Sequence, residues 1–328
     1  MSLYPEINEE RLVRMLRHPG RKVRMVLDTD TFNEIDDQFA LVYALLSPDS
    51  VEVEALYAAP FYNKNSTGPA DGMEKSYLEI LKILKLMSRE DVPVYRGSAA
   101  YLPQDGGFVE GDAARNLVER AMACDPADPL YVVAIGCITN VASAILMEPA
   151  IAERIVIVWL GGHSFAWPHT REFNLSQDIV ASRVVFDCGA PVILLPCGGV
   201  VSHLHTSLSE VRDYVLPTGP VGEYLFETFR SSSDDHFAYT RIIWDMSTIA
   251  WLVNPEWTFS HLVPSPRISD DARWIKDPTR HPIRYIYHIY RNPVFGDLFR
   301  KLARGGGNEG EGGGGDRGGV GGGGAGGS

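Results

Sequence analysis

The chain has 328 residues, 45% of them hydrophobic, and a formal net charge of -12. Such a chain can bury one large α/β core more readily than two small ones, and its acidic balance argues against a nucleic-acid backbone or an anionic membrane as the main partner. No apolar stretch approaches the length of a membrane span, the N-terminus MSLYPEINEERLVRML has no apolar signal core, and Cys124, Cys137, Cys188 and Cys197 are widely spaced without a CxxC pair, so the expectation is a cytoplasmic protein with reduced core thiols.

Residues 1–22 read as a short amphipathic helical extension and a turn. Val23, Met25, Val26 and Leu27 then form an apolar run that reads as a buried strand, and Phe39, Leu41, Val42, Ala44, Leu45 and Leu46 as the buried face of a helix. The spacing predicts further strands at 51–59, 92–95, 130–135, 155–160 and 192–195, with helices at 73–86, 113–123, from Thr139, and at 178–188. The segments 60–72 and 163–176 read as loops. This alternation argues for an open, mostly parallel, Rossmann-like sheet flanked by helices. Beyond residue 200, helices are expected at 207–215, 220–230 and 246–253 and a strand at 257–263. The segment 264–292 carries no assignable pattern. Residues 23–304 are expected to make one α/β domain, and the glycine-rich 305–328 a disordered tail.

Asp28, Asp30, Asp36 and Asp37 fall where the first strand ends and its helix begins, the edge at which open α/β sheets bind ligands. A helix N-terminus accommodates one or two acids. Four exceed what capping needs, and a hard cation with oxygen ligands would relieve their repulsion. The plainer alternative is that Asp36 caps the helix and the others are solvated. Other polar groups fall at the same sheet edge: Asn63, Thr139 and Asn140, Glu172 and Asn174, and Asp245. Individually they also suit a turn (Asn63) or helix caps (Thr139, Asn140, Asp245).

Two families fit the first motif. Asp28-Thr29-Asp30-Thr31 resembles the DxDxT motif of haloacid-dehalogenase-like magnesium-dependent phosphatases, over four residues only. The longer segment DTDTFNEIDDQFA resembles the calcium-dependent nucleoside hydrolases, and that likeness continues in order through VVAIGCITNVASAI at 132–145, IVIVWLGG with REFN at 155–174, and Trp244-Asp245. The second resemblance implies a nucleoside-hydrolase-like fold and hydrolysis of a ribonucleoside to ribose and free base. It implies Ca2+ held by Asp30, Asp37, Asp245 and the carbonyl of Ile135, with Asp30 taking a proton from the calcium-bound water. Asp36, Asn63, Glu172, Asn174 and Asp245 would hold the sugar hydroxyls, with Asp28 in support. It implies a small-molecule nucleoside partner, a role in purine or pyrimidine salvage, and a homodimer or tetramer. Calcium would lower the pKa of its water, a nearby carboxylate would act as base, and the ring of acids would stabilise an oxocarbenium-like sugar.

The chain departs from that pattern at three places. The turn TFNEI is two residues longer and lacks Pro-Gly, which brings Asn33 and Glu34 to the mouth of the site. AAPFYN replaces a shorter Asn-bearing loop. Trp244 stands where many members have a His that helps the base leave; it can stack on a base but cannot protonate it. His163, His169 and His236 are the remaining candidates, each also readable as a loop histidine. Binding of a ribosyl ligand without turnover therefore stays open beside hydrolysis.

Overall fold

Along Val23–Thr29 the side chains alternate, Met25 and Leu27 entering one core and Val26 another. A strand apolar on both faces needs helices on both sides of its sheet, and the rest of the chain supplies them. A computed structural model describes residues 3–305. In chain order, α1 (Glu9–Met15) leads into β1 (Val23–Thr29), α2 (Asp36–Leu45), β2 (Val51–Ala58), α3 (Pro69–Leu86), β3 (Val94–Arg96), α4 (Asp112–Ala123), β4 (Leu130–Ala134), α5 (Thr139–Met147), β5 (Ile155–Leu160), α6 (Phe173–Gln177), α7 (Ile179–Asp187) and β6 (Val192–Leu195). There follow β7 (His205–Thr206), α8 (Leu208–Tyr214), α9 (Pro220–Ser231), β8 (Arg241–Ile242), α10 (Met246–Val253), β9 (Thr258–Pro264), β10 (Arg267–Ile268), β11 (Trp274–Ile275), β12 (Pro282–Ile289) and α11 (Arg291–Gly305).

The main sheet runs β3-β2-β1-β4-β5-β6-β12-β9. Its pairs are parallel from β3 to β12, and β9 closes the edge antiparallel to β12. From β1 the chain steps outward one way to β2 and β3, then the other way through β4, β5 and β6. The order therefore reverses between β1 and β4, and the crevice beyond their carboxyl ends is the switch point where such sheets take ligands. Asp28 pairs with Ala134 across that line, and the Ile135 N–H donates to the Asp28 carbonyl at 2.9 Å. One core packs α2, α3, α10 and α11 on the sheet, and the other packs α4, α5 and α7. Among the described residues, no helix is long and apolar enough to cross a membrane.

The mostly parallel sheet flanked by helices is the expected one; several element limits differ from expectation. The loop expected to run to residue 176 contains α6, because the Glu172 side chain caps it by accepting the N–H groups of Asn174 and Leu175. The strand expected from 257 begins at Thr258, after a 3-10 turn at Pro255–Trp257. Unassigned 264–292 holds β12, inserted between β6 and β9. Its Arg284 is tied down, donating from Nε to the Leu16 carbonyl and from Nη1 to Ser260 Oγ at 2.8 Å. Gly305, placed with the tail, ends α11; the rest of that expected disordered tail lies outside the described residues.

Candidate active site

β1 carries Asp28 and Asp30 into the switch point, and α2 opens on Asp36 and Asp37 in its first turn. All four are buried, as is Asp245 in the residue before α10. Asp28 is anchored: Asn140 Nδ2 donates to its Oδ1 at 2.7 Å, while Asn140 Oδ1 accepts the Ser98 N–H at 2.7 Å. Asn140 makes no capping bond to α5 but joins three strand ends, its Nδ2 also donating to the Ala58 carbonyl at 3.2 Å. Asp37 Oδ1 accepts the Thr29 hydroxyl at 2.5 Å, and Asp36 Oδ2 accepts the Trp244 N–H at 3.2 Å. Asp30 has neither kind of help. Both its carboxylate oxygens are buried without a hydrogen-bond partner, and Gly136 leaves it room, since a Cβ there would sit 3.0 Å from the Asp30 carboxyl carbon.

One oxygen from each of Asp36, Asp37 and Asp245 lies within 4.8 Å of the others. Burial, then repulsion from Asp37 and Asp36, drives Asp30 well above the ordinary carboxylate range. Burial and the neighbours Asp36, Asp37 and Asp30 do the same to Asp245. Asp36 is pushed up to about 7 and Asp37 to about 8, burial leading in both. These carboxyls cannot all ionise side by side in a desolvated space; they must retain protons or share a cation. A hard divalent ion with oxygen ligands fits that donor set, and the unpartnered oxygens of Asp30 are what such an ion would satisfy.

Beside the acids lies a cavity of about 240 Å³, lined among others by Asn33, Asp36, Asp37, Glu172, Trp244 and Asp245. Ile135 and Asn174 also line it. Asn174 Nδ2 donates to the carbonyls of Ile135 and Leu160 at 3.0 and 3.1 Å. Its amide hydrogens are spent on the backbone, so only its oxygen remains for a ligand, as an acceptor. Glu172 accepts the N–H groups of Gly162, Asn174 and Leu175 at 2.8–3.0 Å. Asn63 does not reach the lining. It stands behind Asn33, donating from Nδ2 to Asn33 Oδ1 at 2.5 Å, so the longer turn presents Asn33 to the cavity. Glu34 is paired with Arg241 at 2.9 Å.

Of the three candidate histidines, His163 is on the lining; His169 and His236 are not. Sequence reasoning passed over Leu160, Arg171, Phe173 and Cys197, which line the same cavity. Arg171 and Phe173 flank Glu172 in the motif itself, and Cys197 follows a strand end, so the edge rule that found the others would have reached them.

Buried acids at the switch point of a parallel sheet, with a Glu-Phe-Asn segment after the neighbouring strand β5, are the arrangement that the resemblance to nucleoside hydrolases, a class of N-glycosyl hydrolase, implies. The chain belongs to that family: the model described as inosine-uridine preferring nucleoside hydrolase matches residues 25–281. The similarity to phosphatases, by contrast, is confined to Asp28–Thr31. Among curated relatives, pyrimidine-specific ribonucleoside hydrolase RihA of Salmonella typhi is 28% identical over 262 residues, 71% of this chain and 80% of the relative. RihA of Klebsiella pneumoniae (strain 342) is 29% identical over the same shares. Among solved structures, the purine-preferring ribonucleoside hydrolase from Gardnerella vaginalis has a TM-score of 0.68 at 19% identity, covering 86% of this chain and 99% of that one. The type III effector protein XopQ complexed with adenosine diphosphate ribose has a TM-score of 0.64 at 17% identity, covering 91% and 98%. At those identities the structural likeness speaks for the fold alone.

Proposed function

We propose that the protein hydrolyses the N-glycosidic bond of a ribonucleoside to ribose and free base, with Ca2+ held by Asp30, Asp37, Asp245 and the Ile135 carbonyl. The observation that carries this reading is Asp30, wholly buried, with both oxygens unpartnered, beside three further buried acids. A bound divalent cation supplies a lowered pKa for the attacking water and a docking point for ribose hydroxyls. The Asp30 carboxylate takes the proton from that water. Asp36, Asp245, Glu172 and the Asn174 oxygen accept ribose hydroxyls, and Asn33, braced by Asn63, adds a further polar group to the lining. The same carboxylates stabilise positive charge on the sugar as the bond breaks. Trp244 offers its ring to the base.

Relatives named for pyrimidine and for purine substrates leave base choice to experiment. A place in nucleoside salvage in the cytoplasm, and assembly as a dimer or tetramer, go with this reading. One observation favours a second, ribosyl-ligand binding without turnover: Trp244 lacks the acidic proton that a His would bring to the leaving base.

The test is reducing-sugar release from a panel of purine and pyrimidine nucleosides, by wild type and Asp30→Asn, with Ca2+ and with a chelator. Release that requires Ca2+ and is lost in Asp30→Asn supports hydrolysis. Tight Ca2+ binding with no sugar released from any nucleoside moves the assignment to the binding role, and undiminished release by Asp30→Asn removes Asp30 from the chemistry.

A further inference from the structure

We propose that His163 is a further catalytic residue of this cavity, a neutral hydrogen-bond donor whose Nε2–H holds the departing base. The inference deepens the proposed function and rests on it. After β5 the chain turns through Gly161 and Gly162 and delivers His163 to the cavity wall. Its backbone N–H donates to Thr170 Oγ1 at 3.0 Å, and its carbonyl accepts the Trp274 indole N–H at 2.8 Å. Its ring Nδ1 accepts the Gly198 N–H at 3.1 Å. Three of its four polar groups are therefore consumed by protein partners; the Arg171 backbone also bears on the ring, but Nε2 makes no direct hydrogen bond among the described residues. A backbone donor at Nδ1 also fixes the tautomer, since the proton of the neutral ring must then sit on Nε2.

The surroundings are shaped to hold this ring. Ser164 N–H donates to the Gly198 carbonyl at 2.9 Å and Cys197 N–H to the Gly162 carbonyl at 2.8 Å, zipping the loop after β5 to the loop after β6. A Cβ on Gly198 would come within 2.7 Å of His163 Nδ1 and 2.8 Å of the Trp167 ring, so the approach requires glycine. The His163 ring also lies 4.5 Å from that of Trp167, centre to centre. Burial, then the neighbouring His169, hold the imidazole below the ordinary histidine range. Arg171 and Glu172 of the same loop, Cys197 of the adjoining one, and Glu34, Asp36, Asp37 and Asp245 are the other ionisable groups lining this space.

The chemistry assigns the donor to the base. The carboxylates of the lining accept hydrogen bonds from sugar hydroxyls, and Asn174 has no hydrogens left to give. A departing base presents ring nitrogens and carbonyl oxygens, which are acceptors and gain negative charge as the bond breaks. Arg171 is a donor too, but it is exposed and hydrated. In the step, the C1′–N bond breaks with its electron pair passing to the base, where Nε2–H stabilises it. Water oxygen forms the new C1′–O bond, its proton passes through Asp30 to solvent, and the base takes a proton from solvent.

The test compares His163→Asn, whose side-chain oxygen can keep the Gly198 contact, with His163→Gln, whose amide reaches toward the Nε2 position. Substrates are inosine, uridine, 5′-deoxyinosine and 4-nitrophenyl β-D-ribofuranoside, whose leaving group needs no help. Loss of one preorganised donor predicts a fall in kcat of roughly 10²-fold for His163→Asn on the nucleosides, including 5′-deoxyinosine, with partial recovery in His163→Gln. The nitrophenyl riboside should stay within about threefold of wild type, and the wild-type to His163→Asn ratio should hold constant from about pH 6.5 to 8.5, as a neutral donor requires. Equal losses on both substrate types, a loss that vanishes with 5′-deoxyinosine, a ratio that collapses as pH rises, or no loss would each overturn the proposal. Failure of the wild type to hydrolyse any riboside overturns the underlying reading, and this inference with it.

Discussion

The Thr29 hydroxyl donates to Asp37 Oδ1 at 2.5 Å, and Thr31 Oγ1 stands 2.8 Å behind Thr29 Oγ1. The last residue of β1 thus aims a carboxylate in the first turn of α2, while Asp30 between the two threonines stays unpartnered. Partners of this kind orient a metal ligand. Thr29→Val keeps the shape and removes the donor, so it should weaken Ca2+ binding by roughly 10–100-fold with little change in the folded baseline. Calorimetric titration of the stripped protein checks this; unchanged affinity would mean that Asp37 needs no such support.

Metal removal should act with a definite pH sign. Asp36 and Asp37 are raised to about 7 and about 8 in the fold, and Asp30 and Asp245 are raised well above the ordinary carboxylate range. Between the unfolded carboxylate range near 4 and these values, the metal-free folded state binds more protons than the unfolded one. Its stability from these groups is therefore full at low pH and is lost as pH rises through about 7 to 8. A cation competes with those protons, so its stabilisation grows over the same window. The expected result is a Tm gap between Ca2+-loaded and chelated protein that widens from about pH 5.5 to about pH 8. Taking the gap cancels other titrations, such as His281, whose burial lowers it to about 4. A constant gap would remove these carboxyls from cation binding.

The β1–α2 corner was legible because an apolar strand running straight into acids is a local pattern. β12 was not. Its two-residue alternation is masked by Arg284, Tyr287 and His288, and Arg284 is accommodated by partners at Leu16 and Ser260, distant in sequence. Asn63 was found by its place at the strand edge, yet its amide supports Asn33. Which of two asparagines faces the ligand depends on how the lengthened turn folds back, and spacing does not encode that. α6 was read as loop because its five residues are too short for helical periodicity to register.

Asn140 offers a separate test of how the strand ends are held. Its amide bonds Asp28 Oδ1, the Ala58 carbonyl and the Ser98 N–H, at 2.7, 3.2 and 2.7 Å. Asn140→Ala leaves a buried carboxyl oxygen and a buried N–H without partners, at about 1–3 kcal/mol for each orphaned group. Chemical denaturation should show a loss in that range or above. Asp28, already pushed up to about 7 by burial against the opposing pull of Asn140, should rise further in this variant. A loss well under about 1 kcal/mol would mean that water replaces the amide.

Trp244 can be changed without disturbing its neighbour, because it is the Trp244 backbone N–H that donates to Asp36 Oδ2. The half-buried ring lines the cavity directly before Asp245. If it stacks on the base, Trp244→Ala removes roughly 1–3 kcal/mol of base–aromatic contact, or about 5- to 150-fold in KM, with kcat changed little. Trp244→His restores a proton donor beside the acids and should raise kcat on inosine while weakening the stacking contribution. The pair of variants separates the two roles, since one shifts KM and the other kcat. Unchanged constants and base preference in both would place the base elsewhere in the cavity, away from position 244.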